Sequence, residues 1–178
     1  MDFLLILLLL ALAFAAAVWL FIAHQGDAEF AFLVDQRTDF AVTEINENMA
    51  TFSCKVPFIN KGTQLGTIMD AYTRHLLPYE QYDGVEVYSR LELESAPRTD
   101  GYFEALLVPK STGQTVVITV KLTAKDGDIR QALADMVDMP VDIVYQVVAR
   151  GNWYIDKARI VMKAAEIRQA AKLSGAAA

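Results

Sequence analysis

Cys54 and His75 are the residues from which the chain could assemble a nucleophile and its base, with an aspartate to orient the imidazole. A reactive thiolate needs an electropositive, partly exposed setting. Cys54 instead alternates with Ala50, Phe52, Val56 and Phe58, a pattern that puts it on the apolar face of a strand. There a thiol behaves as a small hydrophobe with a raised pKa. The other histidine is His24, and two histidines among scattered carboxylates lack the spacing of zinc ligands. Asp126-Gly127-Asp128 opens like a calcium loop but lacks the later ligands and the terminal Glu of an EF-hand; a turn followed by a helix N-cap accounts for it. Glu86, Glu92 and Glu94 share the polar face of one strand with Arg90, the composition of a solvated face. No Gly-rich phosphate loop, Gly-x-Ser-x-Gly elbow or Walker pattern occurs. The expectation is a protein that is not an enzyme, with no catalytic residue, cofactor or metal site.

Recognition is the chemistry that remains. The turn Pro97–Tyr102 gathers Arg98, Asp100 and Tyr102, and the turn Leu77–Asp83 holds Tyr79 and Tyr82. Arg and Tyr are residue types enriched at binding hot spots, so these five are the expected partner-binding residues, with ordinary packed loops as the alternative. Near the C-terminus Lys157, Arg159, Lys163, Arg168 and Lys172 outnumber Asp156 and Glu166. A solvated helix explains them, or contact with anionic lipid if the domain faces the cytoplasm. A net charge of -6 without a basic run argues against nucleic acid as a partner.

These groups must be positioned by the chain beyond Phe3–Ala23, an uninterrupted uncharged run rich in Leu, Ala and Phe. At about 1.5 Å per residue a helix of that length crosses the roughly 30 Å hydrocarbon core of a bilayer. A cleaved secretory signal wants a basic n-region and a shorter apolar core. Here the n-region is Met1-Asp2, and the run continues past the small-residue sites near Ala15 through Val18, Trp19, Leu20, Phe21 and Ile22. Length favours a retained anchor over a cleaved signal that would release the domain. The first Lys or Arg is Arg37, so the positive-inside rule gives little orientation; a very short N-terminal tail favours a domain outside the cytoplasm.

The expected divisions are a transmembrane anchor at 1–27, a juxtamembrane linker at 28–38, a β-sandwich domain at 39–162 and an Ala-rich helical tail at 163–178. About 140 residues beyond the anchor suit one domain with a full core. With a single cysteine, no intramolecular disulfide supports it.

From Asp39 the apolar residues alternate, the signature of half-buried strands. Strands are expected over Phe40–Ile45, Ala50–Phe58, Val85–Leu93, Val141–Arg150 and Trp153–Met162, the last two joined at Gly151-Asn152 as a two-residue turn. Tyr102–Val108 and Thr115–Thr123 are expected to pair as a hairpin about Ser111-Thr112-Gly113. A short helix over Asp128–Asp138, capped by Asp128, interrupts the series before Pro140. The fold class expected is all-β, an antiparallel sandwich of seven or eight strands with helices at both ends of the chain.

Two strands carry a resemblance. Ala50–Val56, with Cys54 inward, resembles the B strand of immunoglobulin domains, and Asp142–Arg150 resembles the F strand, with Tyr145 in the tyrosine-corner position. Val147 stands where the second cysteine would be, and Tyr72 is the nearest counterpart of the buried C-strand Trp. The resemblance implies an immunoglobulin-like fold over Phe40–Met162 and no particular activity. The function expected is a single-pass, extracytoplasmic sandwich at the cell membrane that binds a protein or serves as an accessory subunit of an envelope complex. The alternative is a lipid or apolar-ligand module, for which Phe30-Ala31-Phe32-Leu33-Val34 and the basic C-terminal run are the motives.

Overall fold

Two long strands with strict alternation carry the sandwich. In the computed structural model, which describes residues 2–98 and 100–172, β3 (Met49–Asn60) buries Ala50, Phe52, Cys54, Val56, Phe58 and Asn60 on one face. β7 (Gly113–Ala124) lies antiparallel beside it along nearly its whole length, Cys54 opposite Ile118, and buries Val116, Ile118, Val120 and Leu122. Period-2 side chains on two adjacent strands make one continuous apolar face. β1 (Phe30–Phe32) and β2 (Ala41–Ile45) pair with β3, and β5 (Val85–Leu93) pairs with β7, completing a five-stranded sheet.

The second sheet has the order β6-β4-β8-β9, from β4 (Gly66–His75), β6 (Leu106–Val108), β8 (Met139–Val148) and β9 (Tyr154–Met162). Ile68, Val141, Ile143, Tyr145 and Val147 face inward from it. With β1 and β2 as A, the first sheet reads A-B-E-D and the second reads C-F-G with β6 added outside C. That is the strand order of an immunoglobulin-like sandwich. The helix α2 (Ile129–Asp135) falls between E and F, and Asp128 caps it by accepting hydrogen bonds from the Arg130 and Gln131 amides at 2.9 and 3.1 Å.

Several expectations change. Residues 28–38, expected as a linker, belong to the sandwich: Ala28, Phe30 and Phe32 are buried, and Phe32 packs 5.2 Å from Phe58 and 4.8 Å from Tyr145 between ring centroids. Three residues are too few to show alternation. Leu106–Val108 does not form a hairpin with β7 but crosses to the other sheet and pairs with Gly66–Ile68. Alternation tells which side of a strand faces the core, not which strand is its neighbour. The β8–β9 connection runs over 149–153 and is no two-residue turn, because its Arg150 and Gly151 amides bond outward to the Asp27 carboxylate. Tyr72 lies on the C-type strand, as expected, but points outward and is 53% exposed.

The described part of the tail is packed against the sandwich. α3 (Ala164–Ala170) buries Ala164 and Ile167, and Arg168 donates to the Ala134 and Met136 carbonyls at 3.2 Å, tying it to the C-terminal end of α2. The Gly-Ala end expected to fray, 173–178, lies outside the described residues.

At the other end of the chain α1 (Asp2–His24) is a helix long and apolar enough to cross a membrane. Its large side chains from Phe3 to Ile22 are exposed all round.

Candidate functional site

The connection from β5 to β6 is held at its root and presents an arginine at its tip. Ala96 bridges back to Leu93, Phe103 is buried, and the Arg98 amide donates to a Glu92 carboxylate oxygen at 3.1 Å. The Arg98 guanidinium then grips Asp100 with both arms, Nε to Oδ1 at 3.1 Å and Nη2 to Oδ2 at 2.6 Å. Asp100 also accepts the Tyr102 amide at 3.2 Å, and the guanidinium lies 5.2 Å from the Tyr102 ring centre. The hydrogen bonds from Arg98, joined by that amide, pull the Asp100 carboxyl down to about 2. They hold the arginine above its ordinary value as well.

Beside this tip lies a cavity of about 180 Å³ lined by Glu92, Leu93, Arg98, Tyr102, Phe103 and Leu106 among others. Its lining mixes apolar side chains with the charged Glu92, Arg98 and Glu104. Tyr88, on the outward face of β5, adds a third element that sequence reading passed over. It is 59% exposed, and its hydroxyl would sit 3.5 Å from a Cβ placed on Gly101. An aromatic on the polar side of an alternating strand was the available signal. Bidentate pairing with Asp100 takes two of the five N–H donors of Arg98, and Nη1 lies 3.5 Å from a Glu104 carboxylate oxygen, so the guanidinium is an oriented surface already faced by two acids.

Of the expected residues, Arg98, Asp100 and Tyr102 come together. Tyr79 and Tyr82 do not join them: they belong to the loop that leads into β5, whereas Arg98, Asp100 and Tyr102 belong to the loop that leaves it. Tyr79 is exposed, with the Lys125 ammonium 5.9 Å from its ring centre, and Lys125 pairs with Asp83 at 2.5 Å. Tyr82 has another task. Half-buried, it donates its hydroxyl to the Ala132 carbonyl at 2.7 Å and pins α2 to the β4–β5 loop. Burial, with Asp135 nearby, pushes its phenol up to about 12.

Cys54 is 1% exposed, and burial pushes its thiol up to about 12. His75 lies on the other sheet; burial lowers its pKa and leaves Nδ1 without a partner. Among the described residues, no three His, Cys, Asp or Glu side chains are grouped to hold a metal ion.

Sequence reading also missed a polar clamp where α1 meets the sandwich. Asp27 accepts the Arg150 and Gly151 amides at 3.0 and 2.7 Å. The Gln25 carbonyl accepts from Thr63 Oγ1 at 2.6 Å and Gln64 Nε2 at 3.1 Å, and Arg150 Nη1 donates to Gln25 Oε1 at 3.0 Å. A Cβ at Gly151 would collide with Asp27 Oδ2, so a larger residue there would push that carboxylate out of the clamp. Underneath, Asn60 takes an inward position at the end of β3. Its Oδ1 accepts the Glu29 and Gly62 amides, and its Nδ2 donates to the Gln64 and Val108 carbonyls. A polar residue continuing the inward phase of Ala50–Phe58 was the clue.

No family model matches the chain, and no curated protein matches it. Among solved structures, it is similar to the structural genomics target SoR45 at 13% identity, over 76% of this chain and 86% of that one, with a TM-score of 0.40. The GAE domain of GGA2p from Saccharomyces cerevisiae aligns at 7% identity, over 75% and 96%, with a TM-score of 0.34. A protein from Archaeoglobus fulgidus aligns at 7% identity, over 75% and 98%, also with a TM-score of 0.34. At these scores the likenesses are loose, and the sandwich assignment rests on strand order and register.

Proposed function

We propose that this protein is a membrane-tethered recognition module in which α1 spans the bilayer and the sandwich, outside the cytoplasm, binds a protein partner through the Arg98–Tyr102 surface. The observation that carries the tether is α1 itself. A helix apolar on every side that buries none of them against its own protein needs another apolar medium around it. The Arg98–Tyr102 tip supports the recognition half. It joins an oriented guanidinium, two exposed tyrosines (Tyr88 and Tyr102) and a small cavity of mixed lining, and its rigid pairing lowers the entropy cost of binding. Of the two sequence motives for the lipid or apolar-ligand alternative, burial of Phe30 and Phe32 removes the first, since they are core residues, and leaves the basic C-terminal run.

The test uses full-length protein in native membranes carrying a photo-crosslinking amino acid at Tyr102 or, separately, at Tyr79. A protein adduct of defined mass from position 102 that disappears with Arg98→Ala is the expected result. Absence of any protein adduct at 102 sinks the recognition half. Release of the protein by alkaline carbonate sinks the tether.

A further inference from the structure

We infer that the sandwich does not stand off from the membrane but is seated in the lipid headgroup layer through an apolar rim at its α1 end. This rests on the reading of α1 as a membrane span. The geometry begins at the clamp. α1 ends at His24, and Gln25, the next residue, is already bonded to Thr63 and Gln64. Asp27 is bonded to Arg150 and Gly151. No spacer remains to lift the sandwich, and the zone between hydrocarbon and water is only about 5–7 Å deep on each side. The β3–β4 and β8–β9 loops are thereby brought to headgroup depth.

Side chains suited to that depth occupy those loops and the adjoining rows of the second sheet. Leu65 follows Gln64 and is 48% exposed; Trp153 lies just beyond Gly151 and is 62% exposed. Leu107 and Val148 both sit opposite Thr67 across neighbouring strands, forming one outward-facing row, and both are exposed. Ile155, exposed on β9, comes next along the same face, in a row with Gln146 and Asp70 where polar groups begin. Farther from α1 the character of that face changes. Arg74, Asp142 and Arg159 form a single row, with Asp142 gripped by the Arg159 guanidinium at 2.6 and 3.1 Å. An apolar-to-charged gradient that starts at the mouth of a membrane helix is the pattern of a surface entering the interface, where an indole is favoured. Exposed Lys61, Lys110 and Arg150 on the loops at this end supply cations for anionic headgroups. The occupant is therefore lipid, with a second copy of the chain as the competing outcome.

The chain contains two tryptophans, so each can be made the sole reporter: Trp19→Phe leaves Trp153, and Trp153→Phe leaves Trp19. Full-length variants are reconstituted at high lipid-to-protein ratio in phosphatidylcholine brominated near the top of its acyl chains. Trp153 emission is expected to fall by roughly half relative to unbrominated lipid, unchanged on further dilution with lipid, and to be shielded from acrylamide. Quenching of Trp19 without quenching of Trp153 overturns the seated rim and leaves the span intact. If neither is quenched, both ideas fall. Shielding of Trp153 that vanishes on dilution, without bromine quenching, assigns the rim to a second copy and overturns the lipid proposal.

Discussion

The Asp27 carboxylate accepts the Gly151 amide at 2.7 Å across 124 positions of sequence. One residue just beyond α1 thus closes the turn between the last two strands. Burial acts to raise the Asp27 carboxyl, but the amides of Ala28, Gly151 and Arg150 outweigh it and hold the group below its ordinary value. Asp27→Ala is expected to cost about 1–3 kcal/mol of stability, because two loop amides lose a charged acceptor. Hydrogen exchange at Arg150 and Gly151 should accelerate while the β3 and β7 amides stay protected. Equal acceleration throughout would mean that the clamp is not local.

Asn60 is fully buried with both ends of its amide satisfied. Asn60→Ala is expected to destabilise by about 3 kcal/mol or more, since it strands two amides and two carbonyls in a closed space. Urea unfolding should record it as a lower midpoint at an unchanged slope. A loss below about 1 kcal/mol would show that water replaces the side chain.

Glu166 joins α3 to the start of the sandwich, pairing with both arms of Arg37 at 2.9 and 2.8 Å. Burial raises its pKa, but the Arg37 hydrogen bonds and the Phe40 amide outweigh that and leave it below the usual 4.5. A lowered folded-state pKa gives stability that is complete above the unfolded value and lost as pH falls through the folded one. Glu166→Gln should therefore cost about 3 kcal/mol at pH 7, with the gap to wild type narrowing once pH drops below 4.5. Paired unfolding curves at neutral and acid pH test this; a gap independent of pH would deny the ion pair its role.

Cys54 is sealed behind β3 and β7, with its thiol pushed up to about 12 by burial. Native protein at pH 8 should leave a disulfide-exchange reagent almost unconsumed and titrate one thiol only after denaturation. Cys54→Ser is expected to lose about 1–3 kcal/mol by placing a hydroxyl among apolar neighbours. Fast labelling of folded protein would contradict the packing.

Tyr82 and Tyr102 should separate stability from binding. Tyr82→Phe removes the hydrogen bond to Ala132 and is expected to cost about 1 kcal/mol without affecting the crosslink formed from position 102. Arg98→Ala should leave the melting temperature within about a degree and weaken the crosslink, since the solvent-exposed Arg98–Asp100 pair adds little to folding. Thermal melts read beside crosslinking yield decide it.

Much of this protein was legible in its residues. The period-2 alternation of β3, β5 and β7 put Cys54, Leu91 and Val120 inside, the helical spacing after Asp128 located α2 with its cap, and an unbroken apolar run marked α1. Each of these is a local property, because burial of one face and satisfaction of nearby amides are decided within a few residues. Neighbourhood was not legible. That Leu106–Val108 joins β4 in place of β7, that Phe30 and Phe32 complete the core, and that Tyr82 serves α2 depend on pairings far along the chain. Alternation fixes the face of a strand and leaves its partner free. Only the closed sandwich, which brings backbone groups from distant segments to these two side chains, chose Asn60 and Asp27 as the polar joints between the helix and the sheets.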